Sequence, residues 1–212
     1  MLHYLTVPVT AFQQNCSIVW CDETLDAAVI DPGGDLDLLL AQIEKRGLHL
    51  TQILQTHAHI DHAGATGELA QSLGLPIIGP HPADQFWIDG LPQQSQMFGF
   101  PPAKAFTPTR WLHDGDSVKV GHSILAVRHC PGHTPGHVVF HAAEIHRAFV
   151  GDVLFAGSIG RTDFPQGDQD TLIRSITQRL WPMGDDTVFI PGHGPESNFG
   201  HERRTNPYVG GT

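Results

Sequence analysis

The sequence has 212 residues, enough for one large domain with a buried core, and its 23 Gly and 16 Pro indicate many turns. The formal net charge is −10 and no block of Lys or Arg occurs, which argues against binding to nucleic acid or an anionic membrane. The three cysteines form no CxxC pair, which favours a reducing compartment over a disulfide framework. The N-terminus lacks signal-peptide features, and no apolar run approaches the ~18 residues of a membrane span. We therefore expect a cytoplasmic protein with one domain over residues 1–212, and leave its oligomeric state open.

The first part of the chain predicts strands followed by a helix. Short apolar runs predict strands over residues 4–9, 17–20 and 27–30, a pattern typical of a β-meander. After a Pro-Gly-Gly turn, Asp35 is the expected N-cap of a helix over residues 36–46, whose Leu and Ile side chains recur at helical spacing.

The next part alternates short strands with helices. The pattern predicts strands at 53–54 and 77–78, a helix over 63–73, and a helical turn over 82–88 that begins at a proline. Residues 90–109 show no pattern of regular structure. Such a stretch is either a functional loop or a loop whose aromatic residues fix it to the core.

The second half repeats this plan. A hairpin-type signal at 114–116 precedes further predicted elements: strands over 117–120, 124–128, 138–141, 148–150 and 188–190, and a helix over 172–180. Two strand-rich halves, each flanked by helices, would place the loops of both halves along one common edge. That edge is where we expect a functional site.

Four candidate metal ligands, His57, His59, Asp61 and His62, fall within six residues directly after the strand predicted at 53–54. Imidazole and carboxylate groups bind first-row divalent metals well, and a loop at the end of a strand lets residues two apart converge on one ion. This cluster predicts a metal site.

Three further Gly-rich turns carry ligand-type side chains directly after apolar runs. They contain His133 and His137, Asp152, and His193, respectively. The small residues beside each candidate would let the backbone approach an ion closely. Any one of these turns is weak evidence, but four at strand ends in one chain predict a shared metal centre.

Taken in order, the motifs THAHIDH (56–62), PGHTPGH (131–137), GDVLF (151–155) and PGHG (191–194) resemble those of metallo-β-lactamase-fold hydrolases. The chain is most similar to the hydroxyacylglutathione hydrolases (glyoxalase II) and their shorter relatives, over nearly its whole length. The resemblance implies an α/β fold: an αββα four-layer sandwich of two mixed β-sheets flanked by helices.

The resemblance also implies a centre of two divalent metal ions, with zinc as the first choice and iron or manganese as alternatives. It assigns seven ligands: His57, His59 and His133 on the first ion, Asp61, His62 and His193 on the second, and Asp152 as a bridge. A carboxylate has two oxygen atoms and can span ions about 3.5 Å apart. The family does not use the histidine at the position of His137 as a ligand, so we expect a supporting role for it.

The reaction that the resemblance implies is hydrolysis of a small-molecule thioester, S-lactoylglutathione or a related hydroxyacyl thioester. Coordination to zinc lowers the pKa of water to about 7, so no side-chain nucleophile is required. Asp61 is the expected catalytic side chain, because it could orient the attacking hydroxide as well as bind metal.

The sequence departs from the longer enzymes of this type at its end. Those enzymes append a helical domain that supplies much of the glutathione site, and residues 202–207 resemble only its start. Glutathione selectivity therefore stays open. Arg161 stands where the longer enzymes carry a basic substrate contact, so it is a candidate partner for a substrate carboxylate, with a surface or structural role as the alternative.

Two other functions compete with the hydrolase. The same fold hosts persulfide dioxygenases, in which two His and one Asp bind a single iron. Retention of Asp61, His62 and His193 argues only weakly against this function, since those oxygenases often keep them. The third possibility is a non-catalytic metal-binding module, against which the survival of all seven ligand types argues.

Overall fold

The computed structural model describes residues 1–211, and its first sheet is built from the N-terminal half of the chain. Its five strands lie in sequence order: β1 (Leu2–Val9), β2 (Gln14–Cys21), β3 (Asp26–Ile30), β4 (His49–Leu54) and β5 (Ile77–Ile78). Strands β1 to β3 pair antiparallel, whereas β3, β4 and β5 pair parallel. The predicted β-meander is confirmed, and the sheet is mixed.

The second half of the chain supplies the other sheet. Its strands are β6 (Ser117–Val120), β7 (Ser123–His129), β8 (Val138–Ala142), β9 (Arg147–Gly151), a small hairpin of β10 (Leu154–Phe155) and β11 (Ser158–Ile159), β12 (Val188–Pro191) and β13 (Ser197–Asn198). Six of them form a sheet in the order β13-β12-β9-β8-β7-β6, in which β12 and β9 are parallel and the other pairs antiparallel. This sheet is therefore also mixed.

Short helices and helical turns connect the strands. They are α1 (Leu36–Lys45), α2 (Ile60–Ala63), α3 (Thr66–Leu73), a 3-10 turn (Pro82–Asp84), α4 (Gln85–Asp89), α5 (Leu91–Phe98), a 3-10 turn (Ala143–Ile145), α6 (Gln169–Ser175) continued by a π-helical turn (Ile176–Leu180) and a 3-10 turn (Trp181–Met183), and α7 (Phe199–Thr205). Within residues 1–211, no helix has the length and apolar character needed to cross a bilayer.

Three apolar clusters show how the layers stack. Between the sheets, Leu54 of the first sheet packs in one cluster with Phe140 of the second. On the outer face of the first sheet, Leu39 of α1 joins a cluster with strand residues of β1 to β3, and on the outer face of the second, Leu172 of α6 joins a cluster with Phe189 of β12. Burial of apolar surface on both faces of each sheet stabilises the stack. The predicted αββα sandwich is confirmed.

Two predictions about helix starts are wrong. Asp35 does not cap α1 with its side chain, because its backbone is left-handed at φ 49° and its carboxylate accepts a hydrogen bond from the backbone N–H of Thr10 at 2.6 Å. The helix predicted over 63–73 is in fact two helices, since the chain leaves helical geometry at Ala65 (φ −105°, ψ 1°). The first of them, α2, begins at Ile60, so Asp61 and His62 lie on a helix rather than in a loop.

The interpretation of residues 90–109 as wholly irregular is also wrong in part, because α5 covers Leu91–Phe98. The sequence does contain residues typical of the start and the end of this helix. Pro92 sits in the first helical turn, where its missing N–H costs nothing, and Gly99 ends the helix at φ 71°. The helical pattern is weak because α5 is mostly polar, yet it places Phe98 beside the functional site.

Candidate metal centre

All seven predicted ligands lie at the edge where strands of both sheets end. Each follows a strand or starts the next element: His57 and His59 after β4, Asp61 and His62 on α2, His133 after β7, Asp152 after β9, and His193 after β12. Strand pairing fixes their relative positions, because β3 pairs with β4 and β9 pairs with β12 in parallel. The carboxyl ends of parallel strands meet at one edge of a sheet, which is the usual place for a ligand site.

The first group of ligands consists of three buried histidines. One nitrogen atom each of His57, His59 and His133 lies within 4.8 Å of the others, a spacing that could hold a metal ion. Nδ1 of His59 is 2.9 Å from Nε2 of His133. Two ring nitrogens that face each other this closely either share a proton or can share an ion.

The second group is acidic and partly exposed. One atom each of Asp61, His62 and His193 again lies within 4.8 Å of the others. Oδ2 of Asp61 is 3.0 Å from Nε2 of His193 and 3.8 Å from Nε2 of His62. The side chain of His193 is 31% exposed, whereas that of His62 is fully buried.

Asp152 lies between the two groups. Its Oδ2 is 3.5 Å from Nε2 of His133 in the first group and 3.8 Å from Nε2 of His193 in the second, and its Oδ1 is 3.3 Å from Nε2 of His62. Glycine is required at 192 because a Cβ there would lie 2.1 Å from Oδ1 of Asp152. The carboxylate is thus within reach of both ligand groups.

A buried relay orients one histidine of each group. Nδ1 of His62 donates to Oδ2 of Asp31 at 2.9 Å. The hydroxyl of Thr56 donates to the same carboxylate oxygen at 2.5 Å, and Nδ1 of His57 lies 3.0 Å from that hydroxyl. Both rings therefore hold a proton on Nδ1 and turn Nε2 toward the centre, the arrangement that metal-binding histidines show with their outer partners.

Backbone carbonyls orient two of the three remaining ligand histidines. Nδ1 of His133 donates to the carbonyl of Arg161 at 2.7 Å, and Nδ1 of His193 donates to the carbonyl of Phe12 at 3.2 Å. Nε2 of each ring is again left to face the centre.

Several polar atoms at the centre are buried without a hydrogen-bond partner, among them Nε2 of His57, Nε2 of His62 and Oδ1 of Asp152. Buried polar atoms almost always have a partner, and each orphan is costly. Three such atoms of ligand type at one place fit bound divalent cations, which would satisfy all of them. The residues present therefore suit a pair of metal ions.

The pKa values of the histidines also differ between the two ligand groups. Burial lowers the pKa of His57 and of His59 well below the usual value, so both rings are neutral and able to coordinate. For His62, burial acts in the same direction but Asp152 and Asp61 outweigh it and raise the pKa well above the usual value. In return, His62 overcomes the effect of burial and lowers the pKa of Asp152. Binding of a metal ion would displace the proton of His62.

Two residues support the ligands without belonging to either group. Only one of them, His137, was expected from the sequence. Asp31, at the end of β3, also lies within 4.8 Å of His57 and His62, but its carboxylate is already engaged by Thr56 and His62. The sequence shows it only as the start of a turn. His137 stacks on the ring of His57 at 4.5 Å and accepts a hydrogen bond from the backbone N–H of Asp152 at 3.1 Å, in agreement with the supporting role expected for it.

A cavity of about 620 Å³ opens directly onto the ligands. Its walls are mostly apolar and aromatic, and its lining includes Phe12, Trp87, Phe98, Phe155, Ile159 and Phe164 beside ligands of both groups.

Arg161 also lines this cavity. Its guanidinium binds both carboxylate oxygens of Asp163 at 2.6 Å and lies 4.3 Å from the ring centre of Phe164. The predicted substrate contact is therefore at the cavity, but already ion-paired.

Other ligand-type side chains belong to none of these groups. The three cysteines are buried and free, and burial raises the pKa of the Cys130 thiol to about 12, which makes it a poor thiolate ligand. His81 stacks on His129 at 4.1 Å and meets His113 edge-on at 5.0 Å. No local sequence pattern indicates this cluster, because its members come from three separate segments.

Comparisons with known proteins agree with the geometry. The chain is 48% identical over 204 residues to the hydroxyacylglutathione hydrolase GloC of Haemophilus influenzae, and the match covers 96% of each protein. The crystal structure of the B3 metallo-beta-lactamase BLEG-1 covers 99% of this chain with a TM-score of 0.90 and 33% identity, and 100% of that chain is matched. The structure of TTHA1623 in a di-iron-bound form has a TM-score of 0.88 and 38% identity, covering 97% of this chain and 100% of the other.

A more distant relative represents the competing chemistry. The mitochondrial persulfide dioxygenase ETHE1 of Bos taurus is 32% identical over 87% of this chain and 67% of its own length. The sequence model of the metallo-beta-lactamase superfamily matches residues 9–193, which include all seven candidate ligands. The chain therefore belongs to the metallo-beta-lactamase superfamily.

Proposed function

We propose that this protein is a dinuclear metal-dependent hydrolase that cleaves a thioester, S-lactoylglutathione or a related hydroxyacyl thioester. The observation that supports this most is that both ligand groups are complete and that Asp152 lies between them. The likeness to a hydroxyacylglutathione hydrolase over 96% of the chain supports the choice of substrate.

In this proposal His57, His59 and His133 would hold the first ion, Asp61, His62 and His193 would hold the second, and Asp152 would contact both. Zinc suits a set of five imidazoles and two carboxylates, and iron suits it as well. When bound, the ions would supply a lowered pKa for water and polarisation of the substrate carbonyl. The thiolate of a thioester is a good leaving group, so little acid assistance is needed.

Asp61 is the side chain that we assign to catalysis. It lines the cavity, and Nε2 of His193 lies 3.0 Å from only one of its oxygen atoms, Oδ2. Burial opposes its charge, but His62 and His193 together outweigh burial and lower the pKa of Asp61, so that it is an ionised acceptor at neutral pH. An ionised acceptor beside the ligands can orient a water molecule toward the cavity.

The aromatic cavity would hold the thioester, and Arg161 would bind a carboxylate of its thiol arm. Arg161 is 61% exposed, so a substrate can reach it, but the substrate must share the guanidinium with Asp163 or displace that carboxylate. The apolar walls exclude water from the acyl group and so strengthen the electrostatic interactions at the centre. We further propose that the protein acts as one domain in the reducing cytoplasm, which its three free cysteines support.

The competing function is that of a persulfide dioxygenase with one iron. The first group with Asp152 could serve that chemistry, since two His and one carboxylate suffice for a single iron. What favours the hydrolase is the intact second group, in which Nε2 of His62 is buried without a hydrogen-bond partner and would be satisfied by a second cation.

Parallel assays on one preparation test the proposal. S-lactoylglutathione hydrolysis would be followed by release of free thiol, and oxygen uptake would be followed with glutathione persulfide. We expect thioester turnover and no oxygen uptake, and loss of turnover after chelation that zinc or iron restores. Oxygen consumption with one iron per chain and without thioester turnover would overturn the proposal.

A further inference from the structure

A buried carboxylate beneath the metal centre has no assigned role. Asp84 ends the 3-10 turn that follows His81, and it is fully buried. Its side chain points toward the two loops that carry the first group of ligands. An ionised group at such a place is costly unless hydrogen bonds compensate for lost hydration.

Asp84 accepts hydrogen bonds from both of these loops. Its Oδ2 accepts from the backbone N–H of Ala58 at 3.1 Å, and Ala58 lies between the ligands His57 and His59. The same oxygen accepts from the hydroxyl of Thr134 at 2.9 Å, directly after His133. Its Oδ1 accepts from the backbone N–H of Gly136 at 2.6 Å.

The backbone of the same turn adds a fourth connection. The N–H of His81 donates to the carbonyl of Gly136 at 3.1 Å, so Gly136 is held on both sides. A Cβ at 136 would lie 2.5 Å from the backbone nitrogen of Asp84 and 2.7 Å from its carboxyl carbon. The close approach of the two segments therefore depends on glycine at this position.

We infer that Asp84 is a positioning residue that fastens the loop of His57 and His59 to the loop of His133, so that the three histidines converge on the first ion. The inference rests on the proposed function only in taking these three histidines as ligands of one ion. The second group is fastened differently, since His62 is oriented by Asp31 and His193 by the carbonyl of Phe12.

The three donors explain why a carboxylate stands here. Three hydrogens converge on two oxygen atoms that have no hydrogen of their own, whereas an asparagine would turn an N–H toward at least one donor. Burial raises the pKa of Asp84 to about 7, although the bonds from Thr134, Gly136 and Ala58 oppose this effect. Burial is thus unfavourable for the charge taken alone, and the three hydrogen bonds offset part of this cost.

Site-specific metal affinity tests this role without relying on catalysis. In a His193→Ala background only the first ion site is complete, and in a His133→Ala background only the second is. Zinc affinity would be measured in each by competition with a chromophoric chelator. We expect Asp84→Asn to weaken the first site by about 10- to 100-fold, the usual effect of losing an outer partner, and to change the second site by less than about threefold.

Glu202→Gln is the matched control. Glu202 is also fully buried and also accepts three hydrogen bonds, from Gly157, Ser197 and Asn206, but none from a ligand loop. We expect it to lower thermal stability while leaving the first-site affinity unchanged. Equal losses at the first site in Asp84→Asn and Glu202→Gln, or equal losses at both sites in Asp84→Asn, would show that Asp84 is merely structural and would overturn the inference.

Two further variants test the role of Asp84 if Asp84→Asn does not fold. Gly136→Ala leaves the carboxylate in place but forces the segments apart, and should reproduce the selective loss at the first site. Thr134→Val removes one of the three bonds and should weaken the first site by a smaller, severalfold amount. Unchanged first-site affinity in both variants would contradict the role of Asp84.

Discussion

The two ligand groups differ in burial and charge, although they lie side by side. The first group contains only histidines, of which His57 is 0%, His59 7% and His133 2% exposed. The second contains Asp61, and the side chain of its His193 is 31% exposed to the cavity. The first site thus has only imidazole ligands and is enclosed, whereas the second includes a carboxylate and is more open. We expect a chelator to remove the second ion before the first, because the second site is more exposed to solvent.

The largest effect is expected where the two groups meet. Asp152→Ala removes the carboxylate within reach of both groups and leaves His62 without its main counter-charge. We expect loss of both ions at equilibrium and a fall in kcat/KM of about 10³-fold, because metal ions supply several kcal/mol of transition-state stabilisation. Metal content after gel filtration and steady-state hydrolysis measure this. Two tightly bound ions in the variant would refute the bridging role, and the exposed Asp186→Ala serves as a control.

Asp31→Asn should weaken both sites rather than one. Asp31 accepts a hydrogen bond from His62 of the second group and, through Thr56, holds His57 of the first. Outer partners of this kind contribute about 10- to 100-fold in metal affinity. Zinc competition in the two single-site backgrounds should show a loss in each, in contrast to Asp84→Asn. A loss confined to one site would mean that the relay through Thr56 does not orient His57.

A smaller effect is expected at the rim of the cavity. Asp163→Asn removes the carboxylate that occupies the guanidinium of Arg161, so a substrate carboxylate would bind without competition. We expect KM for S-lactoylglutathione to fall severalfold with kcat nearly unchanged, since this contact is equal in ground and transition states. Arg161→Gln should raise KM. If neither variant changes KM, Arg161 has a structural role through its carbonyl, which holds His133 of the first group.

The smallest effect that we expect is on the pH dependence of stability. It comes from His81, which precedes the 3-10 turn that ends at Asp84. Burial, with His129 and His113 nearby, lowers the pKa of His81 to about 4. The unfolded value is about 6.5, so between these values the unfolded state binds more protons and stability falls as the pH falls. Because His81 is partly exposed, we expect His81→Asn to reduce the acid-dependent drop in Tm by only about 1–2 °C between pH 7 and pH 4. Asparagine keeps an acceptor for the N–H of Ala83.

An unchanged pH profile in His81→Asn would show that the histidine cluster does not contribute to acid sensitivity. The measurement is best made on metal-free protein, so that release of ions does not contribute to the change in Tm.

The ligands could be predicted from the sequence because each stands in a short motif at the end of a strand. Strand ends are visible as apolar runs followed by glycine, and the parallel pairing of β3 with β4 and of β9 with β12 then brings those ends together. The layers of the fold could be predicted for a similar reason, since strands and helices alternate in the same order in both halves.

The residues that position the ligands could not be predicted in this way. Asp31 and Asp84 each accept hydrogen bonds from segments 25 or more residues away, and no local pattern shows such a contact. The capping role predicted for Asp35 failed for a related reason, because a tertiary bond from Thr10 competes for its carboxylate. Helix α5 was missed because it is polar and its first turn contains a proline.

The most direct test of the two-ion account is a metal titration of the chelated protein with S-lactoylglutathione hydrolysis as the readout. If the enclosed site fills first, activity should stay low through the first equivalent of zinc and rise with the second. Full activity at one equivalent, or no hydrolysis at two equivalents with oxygen uptake on glutathione persulfide at one equivalent of iron, would contradict the account.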